Sequence, residues 1–312
     1  MTMSSVLAAA CWQDSQDAKV RPRRMDTSTQ HSEALRLSEL AKLFEERCSN
    51  IVSKSTMRSY LLSARLLCEF VGDKPMSLYT AADLDAFKGE YLRRVKPSSV
   101  NVALRSLKAL FTRASEWGVL KVNTLAKVKL VRVAQRPPQY LSREQQLELL
   151  RYVDNPQLNC LFEFLFNTGL RIGEALALKW GDVDSMRKQI RVVNSDKHLT
   201  KTRSNRVVPL NENALRALPE KTGEYIFERN GKPLNVSFVS HRFKRYIRQA
   251  GLPDGIHLHS SRHSFASNLA EKNVDLFVIG KLLGHSSPST TTTLYAHVST
   301  SHLHDVVNLL LD

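Results

Sequence analysis

Apolar residues in the first third of the chain recur with the period of roughly 3.6 residues that is typical of amphipathic helices. The first such run contains Leu37, Leu40, Ala41, Phe44 and Cys48. A second run ends at a glycine, a third opens with a Thr-x-x-Asp capping box, and a fourth extends over about 98–117 before another glycine. The pattern therefore predicts a bundle of four helices at this end of the chain.

The fourth predicted helix also has a polar, partly basic face. Asn101, Arg105, Lys108 and Thr112 recur at spacings of four, three and four residues, opposite the apolar side. Both a solvated surface and a DNA-contacting surface are compatible with this pattern, and the net charge of the chain favours DNA. We therefore expect Arg105 and Lys108 to contact DNA.

The pattern changes beyond the fourth helix. A basic segment leads to two prolines that break any helix, and a capped helix start follows at Ser142 and Gln145. An apolar helix then ends at Gly169, and two β-like runs, QIRVVNS and NRVVPL, are joined by a polar turn. From Asn211 onward the pattern is mainly helical. The expected fold class is mainly α with a small antiparallel sheet (α+β).

Length and this change of pattern predict two domains, since 312 residues exceed the usual size of one domain. The polar N-terminal stretch, which contains KVRPRRMD, is expected to be a disordered basic arm. The amphipathic C-terminal stretch is expected to be a tail helix, packing on its own domain or on a neighbouring subunit. The predicted segments are the arm at 1–32, a helical domain at 33–118, a basic linker at 119–138, and a second domain at 139–312 with the tail from about 299.

Charge points to an anionic partner, because the chain has a formal net charge of +15 and a pI of about 9.8. Nucleic acid is the first candidate and a membrane surface the second. No apolar run approaches the roughly 18 residues of a membrane-spanning helix. The predicted helix at 237–249 carries Arg242, Lys244 and Arg245, which would repel one another without a polyanion alongside. We expect these three residues to contact DNA as well.

The cysteines favour a cytoplasmic protein with reduced thiols. Cys11, Cys48, Cys68 and Cys160 lack the spacing of metal ligands. Cys11 follows three alanines and so raises the alternative of a lipoprotein signal, but the apolar run is short and no positive residue precedes it.

Three stretches carry side chains suited to phosphodiester cleavage: NTGLRIGEAL, HLHSSRHSF and LLGHSSPSTTTTLYAHV. Without a metal, this reaction needs a nucleophile, bidentate donors for the non-bridging oxygens, a base and an acid. Guanidinium groups match phosphate geometry, histidine transfers protons near neutral pH, and tyrosine can attack phosphorus. The alternatives are structural: a buried ion pair between Arg171 and Glu174, and a helix start with incidental charges around His259 and Arg262.

These stretches resemble a known family. TGLRIGE, KTRSNRVVPL, HSSRHSFASNL and LLGHSSPSTTTTLYAHV are similar, in order and spacing, to the boxes of the tyrosine recombinases, the phage-integrase and Xer-like family. The resemblance covers essentially all of residues 37–312. It implies an N-terminal SAM-like core-binding domain and a C-terminal catalytic domain that together clamp DNA. The residues before the first helix are too few for the extra arm-binding domain of some phage members.

The resemblance also implies how the phosphate is held. Arg171 and Arg262 would bind the scissile phosphate, and His285 would donate a hydrogen bond to it. Glu174 would be a supporting residue that fixes the first arginine. Each preorganised donor of this kind is worth roughly 10²–10³ in rate, by analogy with oxyanion holes.

The nucleophile and the proton donors follow from the same resemblance. Tyr295 would attack phosphorus and form a 3′-phosphotyrosyl link, His259 would accept or relay its proton, and Lys201 would protonate the departing 5′ oxygen. Arg203, in the same predicted hairpin as Lys201, is expected to contact DNA. His285 and Tyr295 are ten positions apart where the family usually has nine, so the extra residue is expected in the loop SSPST.

The implied function is site-specific DNA recombination or integration, without a metal, a cofactor or ATP. The crowded histidines His257, His259 and His263 raise metal binding as an alternative, but no Cys or carboxylate nearby completes a site. The implied partners are double-stranded DNA, a homotetramer on two paired sites, and an accessory recombinase or directionality factor. Two alternatives remain: a monomeric enzyme resembling type IB topoisomerases, and a DNA-binding protein with a decayed active site.

Overall fold

The computed structural model describes residues 35–134, 138–193, 205–285, 291 and 292. The predicted arm and the predicted tail helix both lie outside these residues. The chain divides into two compact units, residues 1–134 and 135–312. Within the described residues, no helix is both long enough and apolar enough to cross a membrane.

The first unit contains the four helices that its apolar pattern predicts. Ser53 caps the second helix through its hydroxyl, and Thr80 and Asp83 form the predicted capping box of the third. A single 3₁₀ turn, Met76–Leu78, lies between the second and third helices. The helices are α1 (Leu37–Cys48), α2 (Lys54–Val71), α3 (Ala81–Leu92) and α4 (Pro97–Glu116).

The core of this unit is formed by the apolar faces of all four helices. Phe87 and Phe111 are fully buried, as is Tyr79, whose hydroxyl donates to the carbonyl of Gly72 at 2.8 Å. Tyr79 and Phe111 meet edge to face with their ring centroids 5.7 Å apart. The burial of these side chains accounts for the apolar spacing in the sequence.

The segment after α4 folds back onto the bundle, although the sequence assigned it to a linker. Leu120, Leu125 and Val128 are buried in the core of the first unit. The amide of Asn101 donates to the carbonyl of Val131, and the N–H of Val131 donates back to the Asn101 side chain, both at 2.8 Å. We call residues 119–131 the return segment.

The second unit combines seven helices with short strands among its described residues. Its helices are α5 (Arg143–Arg151), α6 (Pro156–Thr168), α7 (Ile172–Ala177), α8 (Glu212–Arg216), α9 (Val236–Gln249), α10 (Ser260–Ala270) and α11 (Leu276–Leu283). Its strands are β1 (Val183–Asp184), β2 (Gln189–Val192), β3 (Arg206–Pro209), β4 (Glu228–Arg229) and β5 (Lys232–Pro233).

The sheet contains the hairpin that the two β-like runs predict. β2 pairs with β3 in an antiparallel register that places Gln189 opposite Pro209 and Val192 opposite Arg206. β1 adds to the other edge of β2, after a 3₁₀ turn at Trp180–Asp182. A second small hairpin, β4–β5, turns at Asn230-Gly231, where both residues have positive φ. The Asn-Gly pair is the sequence signal for this unpredicted hairpin.

The centre of the second unit is α6, most of whose apolar side chains are buried. Leu161, Phe162, Phe164 and Leu165 have no exposed surface. The helix ends at Gly169, which has φ +63° and lies so close to α10 that a Cβ there would be 2.4 Å from Phe265 Cδ1. Only glycine fits this position, and it therefore directs the chain sharply into the junction before α7.

Candidate functional site

Arg171 begins α7 and is bonded to Glu174 twice. Its backbone N–H donates to Glu174 Oε2 at 3.0 Å, and its guanidinium Nη1 donates to Oε1 at 2.9 Å. The spacing of three residues produces both contacts, because the first turn of a helix brings these positions together. The glutamate thus caps α7 and orients the arginine at the same time.

Glu174 is shared with a second arginine, Arg206, at the start of β3. Arg206 Nη2 lies 2.7 Å from Oε2 and Nη1 lies 3.2 Å from Oε1, which makes a two-pronged ion pair. Burial alone would raise the pKa of Glu174, but the hydrogen bonds and charges of Arg206 and Arg171 outweigh it and lower the pKa to about 2. The carboxylate is therefore ionised at any physiological pH.

Arg262, on α10, is buried and held by backbone carbonyls. Its Nη1 donates to the carbonyl of Gly169 at 2.9 Å and its Nη2 to that of Leu283 at 2.7 Å. These two carbonyls terminate α6 and α11, so one side chain ties three helices together.

His285 follows α11 immediately and lies among the arginines. Its ring Nδ1 is 2.7 Å from the hydroxyl of Thr291. Burial, together with the charges of Arg262, Arg171 and Arg206, lowers the pKa of His285 to about 4. Arg262 bonds to the carbonyl of Leu283, and Arg206 lies against Gly284, so both guanidinium groups lie close to the chain just before His285. The lowered pKa leaves the imidazole neutral near pH 7.

His259 and His263 form a further pair along the start of α10. Their rings are perpendicular, with centroids 5.0 Å apart. Burial, then the charges of His259 and Arg262, lowers the pKa of His263 to about 4. The pair adds imidazole groups next to Arg262 at the edge of the cluster.

Gly284 makes the approach of β3 to α11 possible. It has φ +68°, and a Cβ there would lie 2.7 Å from Cδ of Arg206 and 2.9 Å from its Nε. A side chain at this position would displace Arg206 from Glu174. The glycine before His285 is therefore a steric requirement of the site.

The sequence reasoning missed Arg206, although it lies within the motif KTRSNRVVPL. The sequence signal that could have identified Arg206 was its position at the start of a β-run in which alternate residues are buried. Among the described residues, Arg171, Arg206, Arg262 and a neutral His285 form a cluster that offers planar cationic donors, with the Glu174 carboxylate bonded to two of them. Such a set suits a phosphate whose non-bridging oxygens gain charge during reaction.

Family models match both units of the chain. The model described as the phage integrase family matches residues 139–302, and the one described as the phage integrase N-terminal SAM-like domain matches residues 40–117. The chain belongs to the phage integrase family. The sequence-based recognition of the tyrosine recombinases and the mainly helical fold, with its SAM-like and catalytic domains, are thereby confirmed.

Curated relatives of this phage integrase family member carry the name tyrosine recombinase. The chain is 30% identical over 220 residues to tyrosine recombinase XerC of Haemophilus ducreyi, which covers 66% of this chain and 70% of the relative. It is 29% identical over 265 residues to XerC of Chlorobaculum parvum, with 72% and 76% covered. A tyrosine recombinase of Thermosipho africanus is 26% identical over 272 residues, with 83% and 94% covered.

Solved structures of integrases share the fold. The Tn1549 transposon integrase, in complex with transposon right end DNA, matches with a TM-score of 0.75 at 20% identity, covering 89% of this chain and 100% of that one. A lambda integrase dimer bound to a core site matches with a TM-score of 0.69 at 21% identity, covering 82% and 97%. Both likenesses concern the architecture alone.

Of the residues expected to be catalytic in this phage integrase family member, Arg171, Arg262 and His285 lie in the cluster and His259 lies at its edge. The supporting residue Glu174 also lies in the cluster. Lys201, Arg203, Tyr295 and the loop SSPST lie outside the described residues. Among the described residues, no group of three or more His, Cys, Asp or Glu side chains is placed to hold a metal ion.

The basic residues expected to contact DNA on α4 differ in their surroundings. Arg105 is exposed. Lys108 Nζ donates to the carbonyl of Val128 in the return segment at 3.0 Å, and desolvation lowers its pKa. Asn101 and Thr112, on the same face, also bond to the return segment, so this face is not the fully open basic surface that its spacing indicates.

The cations on α9 have acidic partners, which the sequence reasoning did not foresee. Lys244 Nζ lies 2.9 Å from a carboxylate oxygen of Asp254, and Arg245 lies 3.1 Å from one of Asp154. Arg242 stacks over the ring of Phe238 at 5.5 Å. Two aspartates therefore relieve part of the repulsion among these charges without a polyanion, and contact of Arg242, Lys244 and Arg245 with DNA stays a prediction.

Proposed function

We propose that the chain is a site-specific DNA recombinase or integrase that cuts and rejoins DNA strands through a 3′-phosphotyrosyl intermediate. The observation that carries this proposal is the cluster in which Arg171 and Arg206 share the carboxylate of Glu174 and a neutral His285 lies close to Arg262. Its donors suit the phosphate of a diester, because guanidinium groups match the geometry of phosphate oxygens and stay charged. DNA as the substrate makes the cytoplasm the proposed location.

The roles of the described residues follow from their contacts. Arg171 and Arg262 bind the non-bridging oxygens of the scissile phosphate, because a planar guanidinium matches the geometry of phosphate oxygens. His285 donates a hydrogen bond to the same phosphate. Glu174 fixes Arg171 and remains ionised, since its pKa is about 2. His259 accepts or relays the proton of the nucleophile.

Tyr295 and Lys201 complete the proposed reaction. The hydroxyl of Tyr295 attacks phosphorus, the bond to the 5′ oxygen breaks, and the Lys201 ammonium gives its proton to that oxygen. The covalent ester retains the energy of the broken phosphodiester, so the reverse attack by a 5′ hydroxyl rejoins the strand without ATP.

The domains and partners that we propose are those that membership of the family implies. Residues 33–118 form the core-binding domain and 139–312 the catalytic domain, with a basic arm before them. Among the structural relatives, a lambda integrase tetramer is bound to a Holliday junction. We infer a tetramer of this chain on two paired DNA sites, joined by an accessory recombinase or directionality factor. The topoisomerase-like and decayed alternatives are not favoured.

The testing experiment is covalent capture. The full chain is mixed at low salt, with EDTA, with nicked duplex fragments tiled across the DNA on both sides of its own gene. A denaturant-stable protein–DNA adduct is expected from the unsubstituted chain and from the control Tyr152→Phe, which changes an exposed tyrosine at the end of α5. Tyr295→Phe should form no adduct and retain DNA affinity. An adduct that persists in Tyr295→Phe, or binding without an adduct on any fragment, contradicts the proposal.

A further inference from the structure

Thr291 is buried beside His285 although it belongs to a polar run of four threonines. Its exposed fraction is 1%, and its Oγ1 lies 2.7 Å from Nδ1 of the His285 ring. Residues 291 and 292 are helical, and Thr291 precedes Tyr295 by four positions in the sequence. The contact therefore links the segment before the proposed nucleophile to the phosphate-binding histidine.

The last turn of α11 holds both partners of this contact. A Cβ on Gly280 would lie 2.8 Å from Thr291 Oγ1, so only glycine leaves room for the hydroxyl. The carbonyl of the same Gly280 accepts the backbone N–H of His285 at 3.0 Å. The hydroxyl and the imidazole thus meet over one glycine, whose lack of a side chain sets their distance.

The direction of the hydrogen bond decides what His285 can do. A neutral imidazole has one N–H and one lone pair. If the threonine hydroxyl donates to Nδ1, the proton of the ring is on Nε2, which can then donate to a phosphate oxygen. If the hydroxyl accepts from Nδ1, Nε2 has a lone pair that a phosphate would repel. No described residue hydrogen-bonds Nε2.

We propose that Thr291 is a positioning residue, whose hydroxyl donates to Nδ1 of His285 and so fixes the Nε2–H tautomer and the ring orientation that bind phosphate. This inference rests on the proposed function. It adds that His285 is competent to bind phosphate only when the Thr291 hydroxyl is in place beside its ring. One hydroxyl group then sets how the histidine meets the phosphate.

A direct test measures the tautomer of His285 in the full chain. The ¹⁵N chemical shifts of selectively labelled histidines are recorded at pH 7 and assigned with His285→Gln. We expect His285 to be a single Nε2–H tautomer with an accepting Nδ1. Thr291→Val should move both nitrogen shifts toward an average of the two tautomers, while Thr291→Ser should keep them. A protonated Nδ1 in the unsubstituted chain overturns the proposal.

Covalent capture on a nicked duplex gives the second readout. Thr291→Val should slow adduct formation by about 10–100-fold. This effect is at or below the roughly 10²–10³-fold decrease in rate expected when one preorganised donor is removed. Thr291→Ser should stay within about threefold of the unsubstituted chain. Gly280→Ala retains Thr291 but pushes its Oγ1 away, and because alanine favours a helix it should slow capture without weakening the fold.

The His285→Gln background separates positioning from general structure. If Thr291 acts through His285, Thr291→Val should slow capture no further in that background. An equal slowing in both backgrounds means that Thr291 only packs or caps, and the proposal is wrong. If the unsubstituted chain forms no adduct, the proposed function fails, yet the tautomer measurement still tests the contact. If it forms an adduct that Thr291→Val leaves unchanged, only this inference fails.

Discussion

At the scale of single residues, Glu174 holds two arginines of the site in place, while the site as a whole keeps a net positive charge. A buried carboxylate is costly unless it is paired, and here two guanidinium groups share it. Arg206 bonds to both carboxylate oxygens of Glu174 and so balances part of the negative charge of the carboxylate. Glu174 therefore orients Arg171 without cancelling its positive charge. Three arginines and one glutamate leave two net positive charges for a phosphate.

Removal of Arg206 tests this division of roles. Arg206→Met should lower the free energy of unfolding of the second unit by about 2–3 kcal/mol, near the low end for a broken buried ion pair because Arg171 remains. The double variant Arg206→Met with Glu174→Gln should lose less unfolding free energy than the sum of the losses of the two single variants, by at least about 1 kcal/mol. Urea titration of the full chain, with hydrogen exchange of peptides around β3, measures both quantities.

The matched control for this cycle is Arg187→Met. Arg187 and Asp184 form an exposed ion pair at 3.9 Å in the same sheet. Pairs of this kind contribute about 0–1 kcal/mol, so the control should change little. A loss at Arg206 no greater than the loss at Arg187 would show that the shared carboxylate is unimportant for stability.

The sequence predicted contacts between residues that are neighbours on one helix turn and missed those that only the fold brings together. Arg171 and Glu174 are three residues apart, so local helical geometry sufficed to pair them. Arg206 is 32 residues from Glu174, and Thr291 is six residues from His285, a separation that no helical or strand period brings into contact. Roles that depend on such distant pairing require coordinates.

At the scale of elements, α4 and the return segment show where periodicity is informative and where it stops. The apolar face of α4 and its approximate bounds follow from the spacing of its residues. The spacing does not predict that the return segment covers the polar face of α4, because an asparagine there gives the same sequence pattern whether it is buried or exposed. Asn101 is 4% exposed and bonds both backbone groups of Val131.

Asn101→Ala should loosen the return segment. The substitution leaves the N–H and C=O of Val131 without their partners, at a cost of about 1–2 kcal/mol. Hydrogen-exchange mass spectrometry of the full chain should show faster exchange over residues 119–131. Arg105→Ala, one turn further along α4 and exposed, is the matched control and should leave this exchange unchanged. Equal exchange in both variants would mean that the reciprocal bonds do not hold the segment.

At the scale of the whole molecule, the net charge of +15 is not distributed as the sequence alone indicates. Lys244 is bonded to Asp254 and to the carbonyl of Ile256, while Lys108 is bonded to the carbonyl of Val128. Cations with protein partners release fewer counterions from DNA than exposed ones do. The exposed cations, among them Arg105, are therefore expected to dominate the electrostatic part of DNA binding.

The salt dependence of DNA affinity tests this distribution. Affinity for a duplex should fall linearly on a log–log plot, with a slope of roughly 0.9 for each phosphate neutralised. Arg105→Ala should reduce the slope by about one, because it removes a phosphate contact, whereas Lys244→Ala should leave the slope nearly unchanged, because its ammonium is engaged within the protein. Fluorescence anisotropy with a labelled duplex between low and physiological salt measures all three slopes. A flat response of the unsubstituted chain would contradict DNA binding itself, whereas a larger effect of Lys244→Ala than of Arg105→Ala would mean that the ion pair on α9 opens when DNA binds.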